Sequence, residues 1–287
     1  MIADTIALTV RALKKWIRNP AAIMPGLFMA IFWLALFGNS FNPANLMPTQ
    51  IGSTTLPPTL LQQIRSAIVG QTFGGAPTYI TFLTAGVICL IIVVNMAYGG
   101  IDIVLDRQLG YLSTLLSSPI SRASIYFSGV LQNFAKAMVI AFLTFIVALV
   151  LPNGLELSAG FNVLDFLGVF AAFALLAFGF CCLFTTVAFS VKAVDSLVAI
   201  ANFVAFPVVF ISNAMFPTAS FPNWMKNIAQ VNPVSKADEA ARLLIVNGSL
   251  TTNQLWLFIA DIGYLLVFTL VLAALGYAAA RRVLRAE

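Results

Sequence analysis

The residue types that usually carry enzymatic chemistry are nearly missing from this chain. It has no histidine, which removes the commonest general base and metal ligand. Its three cysteines, Cys89, Cys181 and Cys182, fall inside apolar runs, form no CxxC and are odd in number, so neither a disulfide framework nor a metal site is expected. There is no GxxxxGKS or GxxxxGKT loop to cradle a nucleotide phosphate, no HExxH and no GxSxG. The chain is expected to catalyse nothing itself. What remains is a small set of polar groups in apolar surroundings. Asp261 lies about two turns inside the last apolar run, and a carboxylate in lipid is costly and usually functional. Two readings of it stand: it lines a polar path, or water or a polar group of the preceding segment solvates it. Asn95, Asn202, Thr185 and Thr186 are weaker candidates for lining the same path.

A second group of polar residues is arranged by spacing. Residues 106–122, DRQLGYLSTLLSSPISR, form a polar island between two long apolar runs, with Asp106, Arg107 and Arg122 at its ends. Leu109, Leu112, Leu115 and Leu116 recur at steps of three and four and predict a short helix with one apolar face. Ser117-Ser118-Pro119 stops it, because proline cannot continue a helix and biases the preceding residue away from αR. Ser121 is placed to cap a new helix. Helix, break and helix make a rigid bracket, suited to a soluble partner; an ordinary solvated loop is the alternative.

The elements that hold these groups follow from composition. Of the 287 residues, 61% are hydrophobic and 9% charged, against roughly 25% charged in soluble domains. Lipid must therefore serve as solvent for much of the chain. The fold expected is an all-α integral membrane protein with six spans, at about 21–38, 79–100, 134–151, 166–189, 197–213 and 255–280. Residues 1–18 read as an interfacial helix, with Ile2, Ile6, Val10, Leu13 and Ile17 on one face and Arg11, Lys14, Lys15 and Arg18 opposite. A cleaved signal peptide fits less well, because a regular amphipathic face precedes the apolar run. Residues 59–69 and 223–231 predict short helices, as do 238–246. Lys136 is expected to snorkel to headgroups, Pro207 to kink its helix, and Glu156 and Asp165 to lie in a short outer loop.

This layout puts eleven of the fifteen Lys and Arg on one side. The positive-inside rule makes that side cytoplasmic and places both termini there. The net charge of +5 is therefore read as membrane orientation and contact with lipid headgroups, not as nucleic-acid binding. The two longest polar segments, 39–78 and 214–254, fall outside.

The pattern carried by Asp106, Arg107, Gly110, Leu112, Leu115, Pro119, Ser121 and Arg122 resembles the cytoplasmic signature of ABC-2 type transporter permeases, the family of daunorubicin-type drug exporters and of nodulation-factor or polysaccharide export permeases. Gln108 and Tyr111 depart from it, where the family usually has a second acidic residue and a Thr. Phe216-Pro217, Phe221-Pro222, Trp224, Asn232-Pro233, Asp238-Glu239-Ala240 and Arg242 resemble the family's last extracellular segment. The resemblance spans essentially the whole chain. It implies a plasma-membrane permease working with a separate ABC ATPase subunit and a second copy of this chain or a close paralogue. No cofactor is expected on this chain; ATP and Mg belong to the ATPase. It implies further that residues 102–124 couple to that ATPase and that helices in 214–254 re-enter the membrane from outside. The apolar spans suit an amphipathic, drug-like or lipid-like cargo. An ion-gradient-driven secondary transporter and a non-transporting assembly factor are the competing classes; the first would show inverted repeats and membrane-embedded charge pairs.

Overall fold

A computed structural model describes residues 2–19, 23–38, 50–51, 54–55, 59, 73, 75–118, 120–152 and 154–286. The described chain is helical apart from a two-residue antiparallel pair, β1 (Gln50–Ile51) with β2 (Thr54–Thr55). In chain order the helices are α1 (Ile2–Ile17), α2 (Met24–Phe32, continued by a π-helical turn, Trp33–Phe37), α3 (Tyr79–Gly99), α4 (Ile101–Gln108), α5 (Tyr111–Leu116) and α6 (Arg122–Val150). They continue as α7 (Val163–Ser190), α8 (Val194–Phe210), α9 (Asn223–Gln230), α10 (Pro233–Asn247) and α11 (Thr252–Ala286).

Among the described residues four stretches are long and apolar enough to cross a membrane: Tyr79–Gln108, Arg122–Val150, Val163–Ser190 and Thr252–Arg282. The other two expected spans coincide with shorter apolar helices, Met24–Phe37 and Val194–Phe210. The expected helix at 59–69 lies outside the described residues except for Thr59, as do Pro119 and most of the 39–78 segment.

The packing is centred on α3, whose side chains are nearly all buried. It is contacted by α2, α6, α7, α8 and α10. The second hub is α7, which packs on α3, α6, α10 and, most extensively, α11. Such a double hub needs close approach, and Gly86 provides it. A Cβ added at Gly86 would fall 1.7 Å from the backbone oxygen of Ala214, so the chain leaving α8 runs directly against α3.

Local signals explain several boundaries. Thr78 caps α3 by accepting from the Thr81 N–H at 3.2 Å. Asn162 and Asp165 cap α7 reciprocally, a capping box. Asp165, expected in an outer loop, is instead the third residue of α7 and is buried, because its carboxylate accepts from the Asn162 N–H. The third expected span begins earlier than 134, at Arg122. Helix α10 begins earlier than 238 because Asn232 caps it and Pro233 fits its first turn. Helix α8 continues through Pro207 and ends three residues later.

Candidate functional site

Helix α4 is clamped to the turn joining α7 to α8. The Arg107 guanidinium donates from Nη1 to the Val191 carbonyl at 2.6 Å and from Nη2 to the Phe189 carbonyl at 2.7 Å. These carbonyls belong to the end of α7, where the last turn lacks intrahelical donors, and a cation there also suits the helix dipole. The Gln108 side chain adds a bond to the Lys192 carbonyl at 3.0 Å. The chain then reverses at Gly110, whose φ of 75° is a left-handed conformation that glycine adopts without a Cβ penalty.

The next helix, α5, turns its apolar face inward. Leu112 is buried and Leu115 is half-buried against the core. Leu109, between α4 and α5, is 81% exposed, with Thr114 and Ser117 exposed beside it in sequence. Helix α1 is fastened to the same unit, because the Arg11 guanidinium lies 4.3 Å from the centre of the Tyr111 ring, a cation–π contact. Asp106 lines a small cavity with Arg11, Lys15 and Leu112. Ser118 Oγ donates back to the Leu115 carbonyl at 2.6 Å as α5 ends. Ser121 accepts from the Ser124 N–H at 3.1 Å, so α6 starts where the capping chemistry puts it, with exposed Arg122 as its first residue. The bracket is therefore a solid piece: α1, α4, α5 and the α7–α8 turn are tied together by named contacts.

At the opposite end of α3 a charged network surrounds α10. Asp261 on α11 is paired with Lys236 at 3.1 Å, and Lys236 also pairs with Glu239 at 3.0 Å. Glu239 accepts from the Asn213 side chain at 2.9 Å. Asp238, fully buried, pairs with Arg242 one helical turn on, and the Arg242 guanidinium sits 3.8 Å from the centre of the Phe82 ring. Arg242 also donates to the Asn213 carbonyl at 3.3 Å. Of the two sequence readings of Asp261, the structure supplies the polar group: Lys236, from the segment before α11.

Burial pushes the Asp238 carboxyl up to about 8, with the Arg242 guanidinium pulling the other way. Burial works to lower the Lys236 ammonium, but Glu239 and Asp261 outweigh it and raise it. A carboxyl whose folded pKa lies above its unfolded value is protonated in the folded chain while already ionised in the unfolded one. Stability is then lost as pH rises from the ordinary carboxylate range to about 8. Asp238→Asn is expected to flatten that slope, read as thermal melting of the purified protein at pH 5, 6.5 and 8. The same slope in both proteins contradicts the assignment.

The model of the family described as ABC-2 type transporter matches residues 3–246, which takes in the bracket and the members of the α10 network other than Asp261. The chain belongs to the ABC-2 type transporter family. This ABC-2 permease is 28% identical over 251 residues to a Porphyra purpurea protein named "Putative transport permease ycf38", covering 86% of the chain and 75% of that protein. It is 24% identical over 289 residues to a Mycobacterium tuberculosis protein named "Probable doxorubicin resistance ABC transporter permease protein DrrC", covering 96% and 88% respectively. It is 26% identical over 203 residues to the Streptomyces coeruleorubidus "Daunorubicin resistance ABC transporter permease protein DrrB1", covering 69% of each chain.

Within the permease Asn95 and Asn202 are brought to one region, whereas Thr185 and Thr186 lie on α7, with Thr186 donating to the Cys182 carbonyl at 2.7 Å. Asn202 on α8 accepts from the Tyr98 hydroxyl of α3 at 2.6 Å, and Asn95 lies one turn away from Tyr98 on the wall of a cavity between α2, α3 and α6. Lys136 does not snorkel. It is buried and donates to Asp102 at 2.8 Å, because α4 brings a carboxylate within reach. The spacing of Asp238 and Arg242, four apart on a helix, was a readable pairing signal; Asp102 with Lys136, 34 apart, was not.

Proposed function

We propose that this permease is the membrane-spanning subunit of an ATP-driven exporter of amphipathic molecules, powered by a separate ATPase. In this reading α2 and α8 complete a six-helix set with the four longer spans, both termini are cytoplasmic in the cell membrane, and two such chains assemble with two ATPase subunits. The observation that carries it is the Arg107 clamp. It fixes α4 and α5 to the turn between two membrane helices, so a push on the bracket is delivered to α7 and α8 instead of being absorbed by a loose loop. Leu109 is the apolar contact offered outward, Asp106, Gly110, Ser121 and Arg122 shape the rim, and Leu112 and Leu115 seat the bracket from within. The drug-resistance names of two relatives support an amphipathic cargo.

Leu109→Asp is expected to abolish copurification with the ATPase and to lower substrate-stimulated ATP hydrolysis at least tenfold, with membrane insertion unchanged, since a charge would be desolvated without a partner in the contact. Retained copurification and hydrolysis remove Leu109 from the interface. The pairs Lys136–Asp102 and Lys236–Asp261 favour a second reading, coupling to an ion gradient. Transport by the permease reconstituted without any ATPase, driven by a pH or sodium gradient, would establish that reading in place of the first.

A further inference from the structure

Helix α1 has three faces, and packing uses one of them. Thr9 and Trp16 are buried, and Leu8 and Ala12 line a small cavity together with Ile125, Ser128 and Gln132 of α6. The second face carries Ile2, Ile6, Val10 and Ile17, all exposed. The third carries Arg11, Lys14, Lys15 and Arg18, also exposed. The two open faces meet at Val10 and Lys14, one turn apart. There the small side chain of Ala7 leaves a shallow groove, walled by Val10 and the four cations. The side chains of Lys14 and Arg18 form no ion pair with another described residue. The acids packed against α1 belong to α4 and face the cavity on its other side: Asp106 lies there with Arg11 and Lys15, and Asp102 pairs with Lys136. Asp4, on α1 itself, is not part of the groove wall.

The depth of the groove in the membrane follows from α6. That helix has 29 residues, about 43 Å at 1.5 Å per residue, against a hydrocarbon core of about 30 Å. Its first turn therefore stands in the headgroup layer, and α1 packs beside its first turns. A surface at that level, with an apolar strip beside unneutralised cations, fits an amphiphile with an anionic head. Nucleic acid or an acidic peptide would meet the cations but leave Ile2, Ile6 and Ile17 against water. A zwitterionic lipid carries its own ammonium beside the phosphate, which cancels much of the attraction.

We infer that this groove binds one anionic phospholipid, its phosphate held by Arg11, Lys14 and Arg18 and its chains laid beside Ile6 and Val10, and that the lipid strengthens the seating of the bracket through Arg11. The Arg11 guanidinium lines the groove and also lies over the Tyr111 ring of α5, 4.3 Å from its centre. A guanidinium stacks by its face and donates hydrogen bonds by its edge, so both contacts form together. Coupling of this kind is reciprocal: whatever the Tyr111 ring adds to lipid binding, the lipid adds to the hold of α1 on α5. The site is independent of the cargo and of the ATPase, and takes from the exporter reading only the leaflet, the cytoplasmic one.

The detergent-solubilised permease, without ATPase or nucleotide, is titrated with phosphatidylglycerol, and bound lipid is counted by native mass spectrometry. One phosphatidylglycerol per chain is expected to bind at least tenfold more tightly than phosphatidylcholine. The double variant Lys14→Gln with Arg18→Gln is expected to weaken that site at least tenfold. Arg281→Gln with Arg282→Gln removes the same charge from two exposed positions near the end of α11, away from the groove, and is expected to bind as wild type does. Tyr111→Leu is expected to weaken binding about threefold, the loss of one cation–π contact. Equal losses in the two double variants would reduce the effect to net charge and overturn the site, as would phosphatidylcholine binding as tightly as phosphatidylglycerol. Displacement of the lipid by equimolar glycerol 3-phosphate, or by a hexaglutamate peptide, would assign the groove to a soluble phosphate or to an acidic protein segment and overturn the lipid as occupant. Full affinity in Tyr111→Leu would sever the lipid from the bracket and contradict the second half of the proposal. No ATPase takes part, so each of these failures leaves the coupling reading untouched, and a failure of that reading leaves lipid binding intact.

Discussion

Arg107→Ala is expected, if the permease is an ATP-driven exporter, to stop export while leaving the spans inserted. The substitution deletes two short charge-assisted hydrogen bonds to the Phe189 and Val191 carbonyls, each worth about 2 kcal/mol where water is partly excluded. It also leaves two carbonyls at the end of α7 without their donor. The apolar core of the bundle does not depend on these bonds, so the protein still inserts and folds, with a melting temperature lowered by a few degrees. The connection between α4 and the α7–α8 turn does depend on them. Transport is expected to fall at least tenfold, with ATP hydrolysis no longer responding to substrate. Arg107→Lys is expected to rescue only a minor part, since one ammonium cannot span two carbonyls as a planar guanidinium fork does. Measured together, transport and thermal stability separate a coupling role from a structural one: a large loss of melting temperature with proportional loss of transport would make Arg107 an ordinary helix cap.

Gly86→Ala is the substitution expected to cost most in stability. The added Cβ would occupy the position of the Ala214 carbonyl, at 1.7 Å from its oxygen and 2.7 Å from its Cα. Backbone cannot rotate away as a side chain can. Either α3 or the 212–215 segment must move, and that segment is anchored: the Asn213 N–H donates to Ser235 at 3.2 Å, and the Tyr79 hydroxyl donates to the Met215 carbonyl at 3.3 Å. Overpacking of this kind costs about 3 kcal/mol or more. The expected result is loss of a monodisperse peak after detergent extraction, or a melting temperature lowered by several degrees. A Gly86→Ala protein that purifies and melts like wild type would show that α3 and the post-α8 segment do not approach as described.

How much of this was legible in sequence differs by the range of the interaction. Local chemistry was readable. The Ser121 cap, the helix break after Leu116 and the short helix at 223–230 all rest on neighbours within four residues. Helix α7 was placed within three residues of either end, because an uncharged apolar run has few ways to be interrupted. Contacts between distant segments were not readable. Lys136 looked like a headgroup anchor because its partner Asp102 belongs to another helix. The apolar stripe that holds Leu112 and Leu115 does not say whether a partner or the rest of the chain covers it. In the structure α1 and α6 occupy that side, and Leu109 is left outside. Asp165 was misplaced for a different reason: Asn162 and Asp165 form a legible N-cap pair, overshadowed by the apolar run that starts beside them.

An ATP-driven exporter of this build requires mechanical work to reach the bilayer through the bracket. The most direct measurement is cross-linking from position 109 in membranes. A Leu109→Cys variant, made in a background with Cys89, Cys181 and Cys182 replaced, is treated in inverted vesicles containing the ATPase. The account predicts a covalent adduct with the ATPase whose yield changes on adding ATP, and no labelling of the same cysteine by an impermeant reagent applied to intact cells. Labelling from outside the cell, or a cysteine at 109 that is accessible on the inside yet never meets an ATPase, would contradict it.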